Sequence, residues 1–167
     1  MGYVRDVFRQ RHMSALSGKY GIGHVRYPTA GGAGKEFAQP MYVNTPYGIS
    51  LAHNGNLTNS TNLASELFHA EKRHINTNSD SEVLLNIFAL ELSKQDAVFP
   101  QAQDFFAAVQ KTHMRINGAY AVIAVIAGHG LLAFRDPLGI RPLIIGERQG
   151  KRRKEYVIAS ENALFTS

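Results

Sequence analysis

Ala119-Tyr120-Ala121-Val122-Ile123-Ala124-Val125-Ile126-Ala127, then Gly128-His129-Gly130, then Leu131-Leu132-Ala133-Phe134, is the stretch on which the fold turns. Two apolar runs rich in β-branched and aromatic residues, joined by three turn residues, predict an antiparallel hairpin. Upstream lie three segments with helical spacing. The first sets Leu63, Leu67 and Phe68 on one stripe, with Glu66, Lys72 and Arg73 off it. The second opens with Ser79-x-x-Glu82, a capping-box pattern, followed by Val83, Leu84, Ile87, Phe88 and Leu92. The third carries Phe105, Phe106, Val109 and Ile116 and stops at Asn117-Gly118. Ahead of the helices, residues 41–44 and 49–53 read as strands around Thr45-Pro46-Tyr47-Gly48. Residues 21–27 read as a further strand stopped by Pro28, and 6–16 as a short helix. Behind the hairpin, Asp136-Pro137-Leu138-Gly139 turns the chain into a strand at 142–146, and a basic loop returns it at 156–159. Strands, then helices, then strands joined by short turns predict an α+β domain with antiparallel sheet and segregated helices. No repeat, linker or low-complexity tract divides residues 1–167, so one domain is expected.

The composition narrows the class. With 167 residues, 44% hydrophobic and 19% charged, the chain can bury a core and is not of disordered type. Its longest apolar run falls short of the ~20 residues of a membrane helix, and the start lacks an apolar signal core. There is no cysteine, which excludes disulfides, thiolate metal sites and a cysteine nucleophile within this sequence. A cytoplasmic protein is the expectation. The net charge of +5 is local: Arg148, Lys151, Arg152, Arg153 and Lys154 hold all of it, and without them bases and acids are equal at 13. That is the pattern of a solvated hairpin tip rather than a nucleic-acid surface. Neither nucleic acid nor membrane is an expected partner.

Familiar enzyme signatures are missing. There is no G-x-S-x-G and no H-E-x-x-H, and the seven histidines do not pair at metal spacing, so no metal site is expected. Ala30-Gly31-Gly32-Ala33-Gly34-Lys35 is not a phosphate-binding loop, because Glu36 follows the lysine and Thr29 stands where the first glycine belongs. What remains is a set of polar residues at element ends. In His53-Asn54-Gly55-Asn56, the asparagine amide and the glycine N–H offer two donors that could meet one oxyanion. Asn-Gly is equally a common tight turn. Arg26, at the end of its strand, could clamp a carboxylate in two parallel bonds or make a surface ion pair. Asp80, in the first turn of the second helix, suits the helix dipole and could equally hold an ammonium group.

Read together, these residues resemble a known family. His24-Val25-Arg26-Tyr27-Pro28-Thr29-Ala30-Gly31, Leu51-Ala52-His53-Asn54-Gly55-Asn56-Leu57 and Ser79-Asp80-Ser81-Glu82 resemble the class II, or N-terminal nucleophile, glutamine amidotransferases. Phe134-Arg135-Asp136-Pro137-Leu138-Gly139-Ile140-Arg141-Pro142-Leu143 is similar to the branch whose glutaminase domain feeds ammonia to a phosphoribosyltransferase domain in purine synthesis. Pro28 and the 136–143 run favour that branch over the glucosamine-phosphate synthases. The resemblance implies a four-layer αββα sandwich. It implies that Arg26 binds the α-carboxylate of glutamine and Asp80 its α-amino group, with Tyr27 and Thr29 as further substrate contacts. It assigns the oxyanion hole to Asn54 and Gly55, and a closing loop to residues 26–37. Glutamine, a phosphoribosyltransferase domain carrying Mg2+, and further copies in a homo-oligomer are the implied partners, with no cofactor in this region.

Two departures from the family matter. The family nucleophile is an N-terminal cysteine whose α-amine serves as base, and this sequence has neither that cysteine nor the His-Arg-Gly-Gln segment expected after it. The expectation is a partial glutaminase domain lacking its first strand, inactive by itself and prone to associate through the exposed edge. The competing expectation is a non-catalytic glutamine-binding or interaction module.

Overall fold

A computed structural model describes residues 4–25, 34–95, 97–150 and 153–161. Two short helices, α1 (Val4–Val7) and α2 (Gln10–Ala15), stand where one was expected, and residues 21–25 form no strand. After a 3-10 turn at Lys35–Phe37, β1 (Met41–Val43) and β2 (Ile49–Leu57) pair antiparallel. Three helices follow: α3 (Ser60–His69), α4 (Asp80–Ser93) and α5 (Ala102–Arg115). The chain then returns as β3 (Gly118–Ile126) and β4 (Gly130–Arg135), the expected hairpin. β5 (Ile144–Gln149) and β6 (Lys154–Ala159) close the described chain. The four-stranded sheet has the order β1-β2-β3-β4, antiparallel throughout, while β5 and β6 make a separate two-stranded ribbon. The α+β class is therefore observed, with one helical layer against one sheet plus a ribbon among the described residues.

Alternation along the strands decides what is buried. Ile49, Leu51 and Leu57 of β2 join Tyr120, Val122, Ala124 and Ile126 of β3 and Leu132 and Phe134 of β4 in the core. All of these lie on the face that meets α4. Helix α4 is buried on every residue from Ser81 to Leu92, because it lies between the sheet and its two helical neighbours. Its one late charge, Glu91, is paired with Arg115 of α5, which also holds Glu66 of α3 at 2.8 Å. Phe68 and Phe106, read as stripe residues, are instead more than half exposed.

Three further local readings are corrected. First, the strand expected to end at His53 runs on to Leu57, so Asn54-Gly55 lies inside a ladder with Ala121 and Tyr120 rather than in a turn. Nine consecutive register pairs with β3 outweigh the local turn preference of the dipeptide. Second, only half of the capping box forms. Ser79 accepts from the Ser81 N–H, but the Glu82 carboxylate takes Asn76 and Thr77 instead of reaching back to Ser79. Third, residues 142–143 are not strand, and both ribbon strands run into the basic segment. Arg148 and Lys154 lie on them, paired with Glu155 at 2.6 Å and Glu147 at 2.7 Å.

Candidate functional site along one edge of β2

Beyond Leu51, β2 has β3 on one side and, among the described residues, no strand partner on the other. Side groups take over that second edge. The His53 N–H donates to Gln39 Oε1 at 2.6 Å, and the Leu57 N–H donates to Asp80 Oδ2 at 3.0 Å. Donors two residues apart on a strand leave by the same edge, so the Gly55 N–H between them also points away from β3. Antiparallel alternation requires this, since 53, 55 and 57 are the pairs that exchange no ladder bonds. The result is a row of three main-chain donors, of which the outer two are held by Gln39 and Asp80.

Glycine at 55 has a steric cause as well. Its φ is +153°, and a Cβ there would collide with the Ala119 carbonyl oxygen and come within 2.7 Å of Tyr120 Cα. Gly118, with φ +147°, stands in the same relation to the Asn56 carbonyl across the ladder. Asn54 is half-buried, on the face turned away from the helices.

Asp80 is the first residue of α4 and so sits at the positive end of a 14-residue helix. One carboxylate oxygen is fixed on Leu57. The other lies 3.9 Å from His53 Nδ1, outside hydrogen-bond distance, on a side chain 23% exposed. His53 itself is buried, with Nδ1 3.0 Å from Ser81 Oγ and, among the described residues, no hydrogen-bond partner for Nε2. Burial, reinforced by the positive fields of His24 and Arg141, overrides the attraction of Asp80 and pushes the imidazole down to about 4. The ring beside Asp80 is thus neutral at ordinary pH.

Two carboxylates shape the surroundings. Burial alone would raise Glu82, but hydrogen bonds from Thr77 and Asn76, to side chain and main chain of each, hold it below the usual carboxylate range and fix the approach to α4. Asp136 is buried and likewise held low, the desolvation being outweighed by the N–H groups of Arg141, Ile140, Tyr120 and Leu138. That turn ties β3 to the 136–141 segment and delivers Arg141 to the vicinity of His53.

Of the residues singled out in the sequence, Asn54, Gly55 and Asp80 come together at one end of β2. Arg26, Tyr27 and Thr29, with most of the glycine-rich loop, lie outside the described residues. Gln39, His53 and Ser81 adjoin these residues; His53 and Ser81 lie within the motifs that carry the resemblance, which give them no role, and Gln39 lies outside every motif. Among the described residues no group of three His, Asp or Glu could hold a metal ion, and no helix is long and apolar enough to cross a membrane.

A family model described as a glutamine amidotransferase domain matches residues 32–167. The chain belongs to the glutamine amidotransferase family. Among curated proteins, it is 58% identical over 161 residues to the amidophosphoribosyltransferase of Pseudomonas aeruginosa, covering 96% of this chain and 32% of that protein. The corresponding Escherichia coli enzyme is 57% identical, again over 96% of this chain and 32% of the relative. The Schizosaccharomyces pombe enzyme is 52% identical over 99% of this chain and 31% of its own length. The chain spans about a third of the length of these relatives. A solved glutamine phosphoribosylpyrophosphate amidotransferase from Bacillus subtilis, complexed with ADP and GMP, superposes with a TM-score of 0.61 at 30% identity, over 85% of this chain and 28% of that one. The amidotransferase domain described here thus shares its fold with part of a phosphoribosylpyrophosphate amidotransferase.

Proposed function

We propose that this domain binds glutamine and stabilises the oxyanion formed as its side-chain amide is cleaved to ammonia. The observation that carries the reading is the row of donors on β2, with Asp80 at one end and Gly55 in the middle. Two residues of extended strand separate the Leu57 and Gly55 donors by about 7 Å. The α-amino nitrogen and amide oxygen of an extended glutamine are roughly 6 Å apart. An amino group on the free Asp80 oxygen therefore leaves the amide oxygen within reach of the Gly55 N–H and the Asn54 amide. Arg26, entering the glycine-rich loop, takes the α-carboxylate, and Tyr27 and Thr29 line the same loop.

The chemistry needs a nucleophile that this sequence does not contain. A thiol supplied from outside it gives its proton to the α-amine beside it and attacks the amide carbon, the carbonyl electrons move onto oxygen between the two donors, and collapse, with that proton passed to the departing nitrogen, releases ammonia and leaves a thioester. Water hydrolyses the thioester to glutamate. In the αββα sandwich that the family resemblance implies, a second sheet covers the face of β2 that carries Asn54. The ammonia serves a phosphoribosyltransferase domain with its own Mg2+, in a cytoplasmic homo-oligomer that makes phosphoribosylamine for purine synthesis.

The test is ammonia release from glutamine by this chain alone and by the chain joined to an upstream segment beginning in cysteine. The expected result is none for the first and turnover for the second. Asn54→Ala should then lower kcat by ~100- to 1000-fold, the loss of about 2.7–4 kcal/mol typical of an oxyanion donor. Silence of the joined protein toward glutamine, with glutamine still bound, would leave the non-catalytic binding module as the correct reading.

A further inference from the structure

We propose that Gln39, His53 and Ser81 form an uncharged bracket that holds Asp80 ready for a ligand ammonium group. They are positioning residues, and the idea rests on the reading above that Asp80 takes the α-amino group of glutamine. A carboxylate in the first turn of a helix has an easy alternative, which is to fold back onto the free N–H groups of its own helix. Asp80 does not do this. It reaches across to the Leu57 N–H on β2, leaving its second oxygen toward His53.

The bracket explains why that orientation persists. Gln39 uses both ends of its amide, accepting from the His53 N–H at 2.6 Å and donating to Ser81 Oγ at 3.1 Å. Ser81 Oγ closes the triangle on His53 Nδ1 at 3.0 Å. Residues far apart in sequence are thus locked together, joining the strand that carries Gly55 to the helix that carries Asp80. The proton count also fits a neutral ring. Ser81 receives the Gln39 proton and either gives its own to Nδ1 or accepts from an Nδ1–H, and in both tautomers the imidazole carries a single proton. A charged imidazole in the same place would neutralise the free Asp80 oxygen from inside and compete with the ligand for it. Because Nε2 is buried without a partner among the described residues, the ring's hydrogen bond within that set is made at Nδ1.

That asymmetry gives the test. Affinities of the chain for glutamine and for 4-carbamoylbutanoate, which lacks the α-amino group, are compared by calorimetry. The native chain should prefer glutamine, and Asp80→Ala should bring the ratio to about one. Ser81→Ala and His53→Gln should lower the ratio by ~10-fold while leaving the affinity for the analogue unchanged, as expected when a positioning hydrogen bond is lost. His53→Asn, which keeps a polar atom near the Nδ1 position, should hold the ratio within about twofold of native. Gln39→Met should behave as Ser81→Ala and stands in for it if that protein melts early. A native ratio in Ser81→Ala and His53→Gln, or an equal loss for both ligands, overturns the bracket while leaving the Asp80 assignment intact. An unchanged ratio in Asp80→Ala, or no binding of glutamine at all, overturns that assignment and the bracket with it.

Discussion

The junction of β2 with α4 and the β5–β6 ribbon are both built from antiparallel strands, yet they are held by different forces. At the junction His53, Ser81 and Glu82 are buried; His53 and Ser81 are bonded to residues distant in sequence, and Glu82 to the main chain and side chains of Asn76 and Thr77. In the ribbon Ala159 is the one buried residue among the strands, Ile145 and Tyr156 are mostly exposed, and the cross-strand contacts are surface ion pairs. Buried polar networks fix geometry because a broken bond leaves an unsatisfied group away from water, whereas an exposed pair exchanges its partner for solvent at little cost. The place where geometry must be exact for a ligand is the place where the chain has removed its alternatives.

The contrast can be broken most severely at Gly55. Gly55→Ala has no room beside Ala119 and Tyr120, and chemical denaturation should show a loss of about 3 kcal/mol or more. Gly128→Ala, in the β3–β4 turn with φ +79° but open space around it, should lose only ~1–2 kcal/mol. If the two cost the same, the close approach of β2 and β3 is not what demands glycine at 55.

Acid should act next. Unfolded His53 takes a proton below about 6.5, while the folded ring does not until about 4. Its contribution is fully present above pH 6.5 and is lost as the pH falls through that window, reaching up to about 3 kcal/mol. His113, lowered by burial against the opposing field of Asp136, acts in the same direction. Stability curves from pH 7 to 5 should therefore steepen toward acid, and His53→Asn should remove most of the slope. An unaltered slope would place the sensitivity elsewhere.

The ribbon should give the smallest effect. Glu155→Gln breaks the pair with Arg148, and the melting transition should move by no more than ~0.5 kcal/mol equivalent. A loss several times larger would mean that the ribbon is as tightly specified as the junction.

The sequence disclosed these two regions unequally. Helices α3 to α5 and the β3–β4 hairpin were legible because periodicity and turn residues are local signals. Asp80 was legible as a chemical candidate from its place before an apolar helix, and the family resemblance gave it a role. The extension of β2 through Asn54-Gly55 was not, since the dipeptide alone says turn and only pairing with residues 118–121 overrides it. Gln39 and Ser81 were silent for a similar reason: their partners lie 14 to 42 residues away, and no spacing announces a contact that exists only once the strand and the helix are in place. Arg148 and Lys154 looked like part of a loop because charge masks strand character when a ribbon has no core face to fill.

The Asp136 turn has one more consequence. Its negative charge is met by peptide N–H groups, and among the described residues no lysine or arginine forms an ion pair with it that dissolved electrolyte would weaken. The main chain at Arg141 is therefore anchored by a contact that added electrolyte weakens little.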